Sequence, residues 1–112
     1  MRGEILKGNL ELLVMSILAR QPRHGYAIIE ALRADSADAF DLPEGTLYPV
    51  LYRLEAAGLI VGSWSEVGGR RRKSYALTER GMAALQQKRQ SWDEFSGAMS
   101  AVLAKVPWPR TV

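Results

Sequence analysis

The chain has 112 residues, 47% of them hydrophobic, with a net charge of +3, no cysteine and one histidine. That length holds one domain with a modest core. The missing cysteines exclude disulfides, and so few nitrogen and sulfur ligands exclude a typical zinc site, so no metal or cofactor is expected. The longest apolar run, Leu12 to Ala19, is interrupted by Ser16 and falls far short of the roughly 20 residues that span a bilayer. Arg2 and Lys7 precede it without a small-residue cleavage site after it, which argues against a signal peptide. The expectation is a soluble, cytoplasmic protein with no membrane partner.

A mild positive charge says little about nucleic acid, but its distribution says more. Arg70, Arg71, Arg72 and Lys73 concentrate cations in four adjacent positions, whereas Asp35, Asp38, Asp41 and Glu44 gather in an earlier linker. Reading forward, Asn9 is placed to cap a helix whose apolar positions Leu10, Leu13, Val14, Ile17 and Leu18 keep the i, i+3, i+4, i+7 spacing of a buried stripe. It should stop near Gln21-Pro22, since proline lacks an amide hydrogen and pushes its predecessor out of the α region. A second helix is predicted from about Gly25, burying Tyr26, Ile29 and Leu32. Phe40 and Leu42 alternate with Asp41 as a very short strand would.

The third helix is predicted to start at Pro43, a residue suited to a first helical position. Leu47, Val50, Leu51 and Leu54 fill one side of it. Advancing about 100° per residue puts Tyr48, Pro49, Tyr52 and Ala56 on the opposite side, with Thr46, Arg53 and Glu55 at its margins. A merely solvated face would carry lysine and glutamate, whereas tyrosines at i, i+4 offer hydroxyls to phosphates or base edges. Pro49 costs about 3 kcal/mol in a helix interior, yet the apolar spacing runs unbroken across it, so the helix stands. Leu59 to Val67 and Ser74 to Leu77 alternate as two strands about a Gly68-Gly69 turn, with the cations at the hairpin tip. Thr78 then caps a long helix carrying Met82, Leu85, Trp92, Phe95, Met99, Val102, Leu103 and Val106, ended by Pro107. Trp108 is placed to cover that end.

Together the elements read as a mainly α fold with a small β-hairpin: a winged helix-turn-helix over residues 1–78, and a C-terminal dimerisation helix and tail over 79–112. The last stripe extends past anything a three-helix core could cover, so part of it should meet another subunit. Several segments carry a more specific likeness. Leu10 to Leu18, His24-Gly25-Tyr26-Ala27-Ile28, Glu44 to Glu55, Gly58-Leu59-Ile60, Gly69 to Lys73 with Tyr75, and Leu77-Thr78-Glu79-Arg80-Gly81 resemble the PadR family of bacterial transcriptional regulators along nearly the whole chain.

The resemblance implies a homodimer that binds double-stranded DNA at a two-fold operator and usually represses. It implies a third helix in the major groove and a wing near the minor groove or backbone, and the single last helix is similar to that of the family's short members. Some of those carry a tryptophan midway along this helix, flanking a pocket for flat aromatic effectors, and Trp92 stands at such a position. Specificity is expected from Thr46, Tyr48, Pro49, Tyr52 and Arg53, and sequence-independent affinity from Arg70, Arg71, Arg72 and Lys73. Trp92, Phe95 and Met99 are expected to form dimer core or an effector pocket. Tyr48 and Tyr52 have a second reading as residues packed under the wing, and the cation run as a solvated hairpin. His24 reads as a helix-start residue, Tyr75 and Thr78 as structural. A different class, a winged-helix module that binds protein with the same surface, would lack steep salt dependence. An enzyme is not expected, since no phosphate-binding glycine loop, Ser/His/Asp set or paired carboxylates suggest one.

Overall fold

The computed structural model describes residues 3–109; Arg2 and the tail beyond Pro109 lie outside the described residues. The elements run α1 (Gly3–Lys7), α2 (Leu10–Leu18), β1 (Arg23–His24), α3 (Gly25–Asp35), α4 (Glu44–Ala56), β2 (Ile60–Val67), β3 (Arg70–Leu77) and α5 (Glu79–Leu103). Helices α2, α3 and α4 close around a core in which Val14, Met15, Ile28, Leu47, Leu51, Leu54 and Ile60 are all buried. Each such aliphatic side chain contributes about 1.5–3 kcal/mol by leaving water, so the apolar stripes, rather than helix propensity, hold the three helices together. The antiparallel sheet has the order β1-β3-β2, with Gly62 opposite Tyr75, Trp64 opposite Lys73 and Val67 opposite Arg70.

Two glycines with positive φ, Gly68 at 59° and Gly69 at 77°, supply the paired left-handed residues that a two-residue hairpin turn requires. A third, Gly58 at 76°, ends α4: Leu59 N–H reaches the Leu54 carbonyl at 3.0 Å and Gly58 N–H the Glu55 carbonyl at 3.0 Å, the paired bonds of a Schellman stop. Thr78 caps α5 as expected, its Oγ1 accepting from Gly81 N–H at 3.0 Å while donating to the Gly58 carbonyl at 2.8 Å. One threonine thereby ties the start of α5 to the end of α4.

Several boundaries differ from expectation for local reasons. The first helix ends at Leu18, and a separate short helix, α1, precedes it. Asn9 does not cap with its side chain; its Nδ2 donates to the Ile5 carbonyl at 2.7 Å and joins α1 to α2 instead. Tyr26 is exposed, because the buried arc of α3 centres on Ile28, Ile29 and Leu32. Phe40 and Leu42 form no strand: Leu42 drops into the core, and Phe40 N–H is held by Ser36 Oγ at 2.8 Å. The partner that β3 does find is β1, a two-residue strand at the turn before α3. Pro43 is the N-cap of α4, not its first helical residue. Helix α5 ends at Leu103, short of Val106, and Trp108 closes that end by donating Nε1–H to the Leu103 carbonyl at 2.8 Å.

Candidate nucleic-acid interface

Helix α4 continues through Pro49 and presents the outward face its sequence predicts. Tyr48, Pro49, Tyr52, Arg53 and Ala56 are exposed and Thr46 is half-buried. The two tyrosines differ in freedom. Tyr52 is 76% exposed and stands clear, whereas Tyr48 is 44% exposed and lies so close over Gly25 that a Cβ there would meet its hydroxyl. The start of α3 thus seats one edge of Tyr48, while the rest of its ring stays exposed. Arg53 turns toward Glu11 of α2, with Nε 3.9 Å from the carboxylate.

The last turn of α4 is fastened to the hairpin by Glu55. Its Oε2 accepts from Gly62 N–H at 3.1 Å and its Oε1 from Lys73 Nζ at 2.9 Å, so one carboxylate grips both strands. Gly62 is needed for this approach, because a Cβ there would fall on the Lys73 and Glu55 side chains. The hydrogen bond to Glu55 raises the Lys73 ammonium above the ordinary lysine value of 10.5, against a smaller opposing effect of burial. Burial likewise raises the Tyr75 phenol above 10.0, with the neighbouring Lys73 pulling it partly back. Tyr75 is buried in the core, in keeping with a structural role.

The cation run lies on strand β3 rather than at the hairpin tip, which belongs to Gly68 and Gly69. Because successive strand residues alternate faces, Arg71 and Lys73 share one side with Trp64, and Arg70 and Arg72 take the other. The four cations accordingly have four different situations. Lys73 is engaged by Glu55, and the Arg71 guanidinium carbon lies over the Trp64 ring, 4.6 Å from its centroid. Arg72 Nη1 lies 3.2 Å from His24 Nε2, and Arg70 is exposed at the end of the strand.

His24 is the N-cap of α3, its Nδ1 accepting from Ala27 N–H at 3.3 Å. A neutral imidazole has one acceptor nitrogen, so His24 cannot cap α3 and accept from Arg72 at once. While it caps, its Nε2 carries the proton and Arg72 keeps its donors for another acceptor.

Farther away, Trp92 and Phe95 sit on α5 with ring centroids 6.2 Å apart. They line an open groove of about 910 Å³ together with Leu12, Arg53, Ala84 and Lys88. Met99 is exposed a turn beyond. Lys88 bonds across to Glu11 at 3.4 Å. The structure therefore places the α4 and hairpin residues on one surface, and Trp92 and Phe95 in a groove that reaches α4 at Arg53. Sequence reasoning missed two features of this surface, the grip of Glu55 on the hairpin and the approach of Arg72 to His24. The helical phase of Glu55, at the margin beside the hairpin, was the available signal for the first; nothing local marks the second, since its partner is 48 positions away.

Three packed helices, the last of them with one face open to solvent beside a glycine-turned hairpin, define a winged helix-turn-helix protein. The chain matches the transcriptional regulator PadR-like family over residues 14–87, and it belongs to that family of regulators, which are not enzymes. It is 34% identical to transcriptional regulator Rv3488 of Mycobacterium tuberculosis over 93 residues, covering 83% of this chain and 84% of the relative. Among solved structures, a PadR family regulator from Eggerthella lenta is 31% identical with a TM-score of 0.80, covering 91% of this chain and 88% of that one. A PadR family regulator from Clostridium difficile is 36% identical with a TM-score of 0.74, covering 86% and 99%. Among the described residues no helix is long and apolar enough to cross a membrane.

Proposed function

We propose that the protein is a cytoplasmic homodimeric repressor that reads a two-fold operator, with α4 in the major groove and the hairpin on the backbone at the adjoining minor groove. The observation that carries this is the juxtaposition of a nearly uncharged aromatic helix face with three exposed arginines on the neighbouring strand. Thr46, Tyr48, Pro49, Tyr52 and Arg53 supply base and backbone contacts in the groove, and Arg70, Arg71 and Arg72 neutralise phosphates. Lys73, already bonded to Glu55, adds charge from behind them and chiefly fixes the angle between helix and wing. In this reading residues 1–78 form the DNA-binding unit and 79–112 the dimer arm. Beyond Leu85, α5 leaves Trp92, Phe95, Met99, Val102 and Leu103 exposed, a stripe that a second copy would cover. A flat aromatic effector held by Trp92 near the dimer seam would act by favouring one spacing of the recognition helices over another.

The test is selection of genomic fragments by the purified protein near physiological salt, followed by salt titration on the recovered duplex. Recovery of one or a few two-fold sites is expected. Arg71→Ala combined with Arg72→Ala should lower the slope of log affinity against log salt by about one per lost phosphate contact. An unchanged slope removes the wing from the interface. Indiscriminate recovery that vanishes with modest salt removes sequence-specific readout, and the hairpin then serves another kind of partner.

A further inference from the structure

The hairpin contains an exposed tryptophan that the core does not use. Trp64 is 58% exposed on the outer half of β2, directly opposite Lys73 and diagonal to Arg71. The Arg71 guanidinium nevertheless lies over its ring at 4.6 Å, with the Lys73 ammonium more distant at 5.9 Å. The choice is informative, because the residue directly opposite Arg71 is Glu66, and no ion pair joins the two among the described residues. A guanidinium stacked on an aromatic face is held by its flat side, while its N–H donors radiate in its own plane and stay open. Arg71 differs in this from Lys73, whose Nζ is bonded to Glu55.

We propose that Trp64 is a positioning residue for DNA binding: it stacks Arg71 so that the guanidinium edge is presented, already ordered, to a backbone phosphate. The proposal deepens the DNA-binding reading and rests on it. A free arginine must give up its rotamer freedom when it meets DNA, and that loss subtracts directly from affinity. Stacking on Trp64 removes much of it beforehand without consuming a donor. Phosphate is the acceptor that fits, since the in-plane fork of donors matches two phosphate oxygens.

The experiment is a double-mutant cycle in the full-length protein, using Trp64→Ala, Arg71→Ala and the combination, titrated against the selected operator duplex and an unrelated duplex at several salt concentrations. Trp64→Ala should weaken both complexes by about two- to five-fold per wing, the range of an exposed cation–π pair, and lower the salt slope. In the Arg71→Ala background it should add nothing. Trp64→Phe, which keeps an aromatic face, should retain most of the affinity. Thermal melting of all variants checks that the fold survives, which the exposure of Trp64 favours. Additive losses from the two substitutions would mean that Trp64 touches DNA itself, and they overturn the proposal, as does full affinity in Trp64→Ala. Failure of the wild-type protein to bind any duplex is a separate result, which removes the DNA-binding reading and this inference with it.

Discussion

Replacing Gly25 with alanine separates the stability of the fold from the placement of its outward tyrosine. Gly25 is the first residue of α3 and is not among the residues with positive φ, so alanine suits its backbone. The obstacle is Tyr48. An added Cβ would run into its hydroxyl and lie 2.8 Å from its Cζ, where carbon atoms settle at about 3.5–4.0 Å. The ring must therefore withdraw by about 1 Å, and its 44% exposure gives it room on the solvent side. Rotating it off its well costs about 0.5–1.5 kcal/mol, offset in part by the helix preference of alanine over glycine. Melting at fixed protein concentration should stay within roughly 4–8 °C of wild type, the equivalent of about 1 kcal/mol. Operator affinity, measured by fluorescence anisotropy, should fall further: one misplaced hydrogen bond of about 0.5–1.5 kcal/mol in each half-site amounts to roughly 5- to 150-fold. In a Tyr48→Ala background the added alanine should cost neither stability nor further affinity. Retained operator affinity in Gly25→Ala, or losses that simply add in the double variant, would refute this role for Tyr48.

Gly81→Ala should behave in the opposite way, destabilising the protein without reaching the interface. Its Cβ would strike the Leu59 carbonyl oxygen and come within 2.6 Å of Leu77 Cδ1. That carbonyl is fixed by Thr78 N–H at 3.1 Å, so α5 itself must shift. A loss of about 1–3 kcal/mol by overpacking outweighs the gain of at most about 1 kcal/mol in helix propensity, and a melting temperature at or above wild type would contradict it. Alkaline pH should also unfold the protein. Lys73 and Tyr75 both have raised folded-state values, so their contribution is complete below the unfolded values of about 10 and is lost as pH rises through the folded ones. The urea midpoint should hold between about pH 7 and 9 and decline above about 10, less steeply in Tyr75→Phe; a midpoint that rises over that range would reverse the sign.

Much of this molecule is legible in one dimension because its signals are local. The spacing of Leu47, Val50, Leu51 and Leu54 is enough to orient α4, and with it the exposed tyrosine face, since a helix turns by the same angle whatever surrounds it. Gly68-Gly69 announces the hairpin and Thr78 the start of α5 for the same reason: the geometry they satisfy spans only a few residues. The features misjudged from sequence depend on a partner that arrives from elsewhere. Phe40 and Leu42 have the alternation of a strand, but β3 pairs with Arg23 and His24 instead, and the linker side chains gain more by packing against the core. Tyr26 follows an apolar spacing, yet α3 turns Ile28 inward.

By itself, then, the sequence determined the core helices, the hairpin and the long last helix in their order, and the outward face of α4, because periodicity and turn chemistry act within a few residues. Only the tertiary structure decided how the four adjacent cations divide their work. Lys73 bonds to a glutamate 18 positions away, Arg72 meets a histidine 48 positions away and Arg71 stacks across the hairpin. Identical charges at adjacent places acquire different roles because the strand alternates its faces, and the partners on each face are supplied by the fold.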